Sequence, residues 1–71
     1  MDVEIIKFVV VVFGGKIEYQ GEIYQEILEK STTTTLKNAK KKAKKLKQLY
    51  PENRVVIKER FREGWKVIAN F

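Results

Sequence analysis

Residues 3–13 read VEIIKFVVVVF, apolar at every position except Glu4 and Lys7. Valine and isoleucine favour extended backbone, and a run that is apolar at consecutive positions needs cover on both faces. The run is too short to span a bilayer as a helix. Asp2 and Glu4 stand where a secretory leader would carry lysines, so a signal peptide is not expected either. The segment is therefore expected to be the central strand of a sheet.

Gly14-Gly15 ends the run between two β-prone stretches, and glycine accepts the positive φ of a two-residue hairpin turn. A turn there pairs Val12 with Ile17, Val10 with Tyr19, Phe8 with Gly21 and Ile6 with Ile23 on a core-facing side. Lys7 then meets Glu22 on the other. After the threonines at 32–35, Leu36, Ala39, Ala43, Leu46 and Tyr50 recur at helical spacing, and Pro51 is a stop signal. A helix over 33–50 is predicted, with alanines that let it lie close to its support. Residues 54–61 and 65–71 predict a second hairpin closed by Arg62-Glu63-Gly64, with Phe61 facing Trp65, Glu59 facing Val67, Ile57 facing Ala69 and Val55 facing Phe71 toward the core. Val56, Lys58, Arg60, Lys66, Ile68 and Asn70 fall on the outer side.

The order is ββαββ. A right-handed crossover through the helix, with the first strand between its neighbours, gives an antiparallel sheet in the order 2-1-3-4 with the helix on one face. The expectation is a single small α+β domain over residues 1–71. At 71 residues the core is modest, with neither cysteine nor histidine to staple it. The 44% hydrophobic content is nevertheless enough to exclude a disordered tail. Absence of cysteine fits a reducing compartment, and a cytoplasmic location is expected.

Charge is unevenly spread. Residues 1–29 hold six acids against two lysines, residues 30–51 hold eight lysines and no acid, and residues 52–71 hold five bases and three acids; the whole chain carries +6. Lys37, Lys41, Lys44 and Lys45 lie opposite the apolar stripe of the helix, flanked by Lys40, Lys42 and Lys47. Such a row can track a phosphate backbone without reading sequence, and the want of arginine there argues against bidentate guanine recognition. Lys58, Arg60 and Lys66 of the second hairpin join Lys37, Lys40, Lys41, Lys44 and Lys45 as candidate nucleic-acid contacts. The plainer alternative is a solvated helix in a lysine-rich chain.

One helix covers one side of a sheet, which leaves Val3, Ile5, Val9, Val11 and Phe13 on the other, with Tyr24 nearby. A bare patch of that kind suggests a homodimer stacking two sheets, a groove for a partner protein, or a platform for bases. The homodimer is the expectation. Catalysis is not expected: there is no His or Cys, Ser31 is the lone serine, and Glu59 is the one acid placed toward the core, where it sits at the sheet edge within reach of water or Lys47. No phosphate-cradling glycine motif or metal-ligand cluster is present, so no cofactor, metal, small-molecule substrate or membrane is implied. The leading expectation is a non-enzymatic module binding nucleic acid electrostatically. The second is a protein-binding module or small inhibitor, of the type mobile elements and phages encode against host defences, docking its basic surface on an acidic or nucleic-acid-binding target.

Overall fold

The computed structural model describes residues 5–71, with side chains from Lys7 onward. Strands β1 (Ile5–Tyr19) and β2 (Glu22–Thr33) form a hairpin, helix α1 (Leu36–Leu49) follows, and β3 (Arg54–Phe61) and β4 (Gly64–Asn70) form a second hairpin. The sheet is antiparallel in the order β2-β1-β3-β4, as the crossover rule predicts.

Thr35 caps the helix, its Oγ1 accepting the Asn38 backbone N–H at 3.2 Å. At the other end the Tyr50 N–H donates to the Leu46 carbonyl at 2.8 Å, and Pro51 follows. Ala39, Ala43 and Leu46 are fully buried against Val10, Val12, Val55 and Ile57, with Phe8, Leu36, Tyr50, Ile68, Ala69 and Phe71 packed around them. The expected apolar stripe is thus the buried one. Removing the cap, Thr35→Ala, should cost about 1 kcal/mol and lower Tm by roughly 4–8 °C. Thr34→Ala, at an exposed position that caps nothing, should stay within about 0.5 kcal/mol in the same melts.

The first hairpin turns elsewhere than Gly14-Gly15. The chain reverses at Gln20-Gly21, with φ of 51° and 78°, and these two left-handed positions suit a two-residue turn whose twist matches the strands. Val10 consequently pairs with Ser31 rather than Tyr19, Val12 with Glu29 rather than Ile17, and Phe8 with Thr33 rather than Gly21; Lys7 has no ladder contact with Glu22. The pairs Lys16–Gln25, Ile17–Tyr24, Glu18–Ile23 and Tyr19–Glu22 close the hairpin. A turn at Gly14-Gly15 would leave residues 29–33 without ladder partners, whereas the later turn pairs the strand as far as Thr33 and delivers the chain to the Thr35 cap. Gly14-Gly15 becomes an irregularity inside β1. A Cβ on Gly14 would come within 3.1 Å of Leu28 Cδ2 and 3.2 Å of the Glu26 carboxylate, exposed side-chain ends that would have to give by a few tenths of an ångström, so this glycine eases a close approach rather than making a turn.

The second hairpin has a tighter turn than expected. Phe61 pairs with Gly64, Arg60 with Trp65, Glu59 with Lys66 and Lys58 with Val67, and a bulge restores Ile57 opposite Ala69. The Phe71 N–H donates to the Val55 carbonyl at 2.8 Å, so the far end of the hairpin has the expected register. The two-residue turn places residues 65–67 one position from the expected pairing, and alternation carries Trp65 and Val67 to the outer face and Lys66 to the helix side. The bulge absorbs the slip and turns Ile68 into the core.

Candidate nucleic-acid interface

The sheet face away from the helix is built around Val9, Val11 and Val56, which Phe13 and Val67 close over. Val9 is 7% exposed and Val11 2%, so among the described residues the two valines at the middle of the expected patch are covered rather than bare. Cover comes from neighbours the sequence register misplaced or undervalued: Val67, brought across by the shifted hairpin, and the long stems of surrounding cations. Of the other expected interface residues, Val3 lies outside the described residues and Ile5 is described by its backbone, opposite Phe61. Tyr24 sits on the opposite, helix-side face, where its hydroxyl donates to Glu22 Oε2 at 2.5 Å; that bond raises its pKa.

Over the valine floor lies an open groove of about 300 Å³, lined by Lys7, Lys30, Lys58 and Arg60, by Ile27 and Thr32, and by Trp65. Its geometry follows from the ladders: Lys7 is opposite Arg60, Val9 opposite Lys58, Val11 opposite Lys30, and Arg60 opposite Trp65. Arg54, opposite Phe13, extends the row. Among the described residues, the outer face of the four-stranded sheet therefore carries Lys7, Lys30, Arg54, Lys58 and Arg60 and no carboxylate.

Two rings hold the cations in place. Lys58 Nζ lies 4.0 Å from the Trp65 ring centroid and 5.5 Å from that of Phe13, and the Arg54 guanidinium is 5.7 Å from Phe13. The Arg54 Nε–H also donates to Asn70 Oδ1 at 2.9 Å. Partial burial, with Lys30 and Arg54 close by, lowers the pKa of Lys58. An anion laid in the groove relieves that crowding. Trp65 remains 55% exposed with a cation against it, a ring on display rather than a core residue.

The other expected contacts are elsewhere. Lys37, Lys40, Lys41, Lys44 and Lys45 are exposed on the helix, across the sheet from the groove. Lys66 faces the helix side beside Glu59, which is half-buried there. Lys47 Nζ donates to the Asn53 carbonyl at 2.7 Å rather than reaching Glu59. The basic residues thus form two separate surfaces, and Lys58 and Arg60 alone of the expected set enter the groove. Lys7, Lys30, Arg54 and Trp65 were missed. The valine pairing of β1 with β3 could have flagged Lys7, whereas Trp65 depends on a one-residue hairpin slip with no local signal.

Among the described residues no helix is long and apolar enough to cross a membrane, and no cluster of three potential metal ligands occurs. No protein family model, curated protein or solved structure matches the chain.

Proposed function

We propose that this protein is a non-enzymatic module that binds single-stranded nucleic acid without sequence preference, with the strand lying in the outer groove. The observation that carries this reading is an exposed tryptophan among four groove cations on the outer face of the four-stranded sheet, where no carboxylate is described. A positive groove follows the phosphates, and an aromatic ring offers a stacking surface that every base can use. A base takes the Trp65 ring while the Lys58 ammonium moves from the ring to a phosphate. Duplex bases are already stacked, so a duplex gains from the phosphate contacts alone.

The lysine helix contributes a second field on the opposite surface. Its side chains are long, exposed and without an aromatic neighbour, which suits attraction of a polyanion more than positioning of one. The absence of His and Cys supports a binding rather than a catalytic role.

Trp65 is the chain's lone tryptophan, so its fluorescence reads the groove directly. Titration with single-stranded DNA, RNA and duplex DNA at low and physiological salt should quench that fluorescence strongly for the single strands. The logarithm of affinity should fall against log salt with a slope of about −3.5 if all five outer cations meet phosphates. Trp65→Ala, followed by anisotropy of labelled strand, should cost about 1–3 kcal/mol with the salt slope unchanged. Equal affinity for duplex and single strand, unaltered by Trp65→Ala, would overturn the stacking role.

A further inference from the structure

Pairing of β1 with β3 stops at Phe13–Arg54, but β1 and β2 continue together to the Gln20-Gly21 turn. Residues 14–28 therefore project as a two-stranded arm from one end of the sheet, consistent with a molecule 40 Å long and 15 Å thick. A two-stranded ribbon is at best marginal in water without something against it. Alternation places Ile17, Tyr19, Tyr24 and Leu28 on the helix side of this arm. Each is at least 40% exposed.

The helix leaves this face open. It ends where the arm begins, because Asn53 of the following turn donates its Nδ2–H to the Phe13 carbonyl at 3.0 Å. Leu49, in its last turn, is 64% exposed at that end. The body of the sheet has a helix as its second layer; the arm has none.

We propose that the missing layer is the arm of a second copy of this chain, packed helix side to helix side and antiparallel about a two-fold axis. Each tip then reaches the end of the partner's helix. Charge decides in favour of this occupant. The helix-side face of the arm carries Glu22 and Glu26 and no cation, while α1 carries seven lysines and no acid, with Lys44, Lys45 and Lys47 toward the end the partner's tip meets. The acids also exclude a polyanion from the arm. The packing is isologous and closed, and leaves both outer grooves open to solvent. It stands independently of the nucleic-acid reading.

The test is sedimentation equilibrium of the full chain from micromolar to millimolar concentration. Wild type should weigh twice its 8.4 kDa, and Ile17→Lys with Tyr24→Lys should be monomeric while its circular dichroism shows the sheet and helix retained, since both positions are exposed in the single copy and lie outside the core. Ile23→Lys, on the other face of the same arm and 69% exposed, should remain dimeric. The chain has no cysteine, so Tyr19→Cys with Leu49→Cys provides a second readout. Tip and helix end of one copy lie about 20 Å apart along the arm, so oxidation should yield covalent dimer. A monomeric wild type throughout, or a dimer lost in Ile23→Lys and kept in the double lysine variant, would overturn the proposal. Loss of nucleic-acid binding would leave it standing.

Discussion

Reversing two groove charges, Lys58→Glu with Arg60→Glu, should lower affinity for single-stranded nucleic acid by about a hundredfold or more at low salt and flatten the salt slope by about 1.4 units. Both residues lie on β3 two positions apart, so both point into the groove, beside Trp65 and opposite Val9 and Lys7. The substitution removes two phosphate contacts and adds two repulsive carboxylates against the valine floor. The control is Lys41→Glu, Lys44→Glu and Lys45→Glu, which changes more charge on the opposite surface. It should cost only severalfold, through the general field. Anisotropy at several salt concentrations decides between the two surfaces: if the helix variant loses binding and the groove variant keeps it, the phosphate track is the helix.

Leu46→Ala should cost about 3 kcal/mol, read as a shift in urea midpoint at constant slope. Leu46 is fully buried, and the alanines at 39 and 43 leave it the largest side chain that the helix drives into the core. A chain of 71 residues has little stability in reserve, so the loss should lower Tm by roughly 12 °C or more. Leu49→Ala, one turn further on at a largely exposed site, should stay within about 0.5 kcal/mol in dilute solution. Similar costs at both positions would mean that the helix does not pack through the 39–43–46 stripe.

Much of the architecture was legible in local pattern. Consecutive valines identified β1 as a central strand, and alternation correctly divided Phe8, Val10 and Val12 from Val9, Val11 and Phe13 between the two faces. That division survived a misplaced turn because alternation within β1 assigns residues 8–13 to their faces whichever residues of β2 lie opposite. The helix stripe needed 3.6-residue periodicity alone, and strand order followed from the handedness of the crossover.

The site was far less legible. Its central ring owes its place to a slip of one residue in the second hairpin, and an odd slip exchanges faces: Trp65 and Val67 moved outward and Lys66 inward. The arm arose because Gln20-Gly21 supplied the turn instead of Gly14-Gly15, two sites that local preference scores in favour of the glycine pair. Composition, charge spacing and apolar periodicity thus determined which elements form and which side of the helix is buried, since those depend on neighbours within a few positions. Tertiary structure alone decided where the hairpins turn. Register is selected by satisfying distant backbone hydrogen bonds, residues 25–33 against β1 and 64–70 against β3, and that selection placed the cations around Trp65 and left the arm without a second layer.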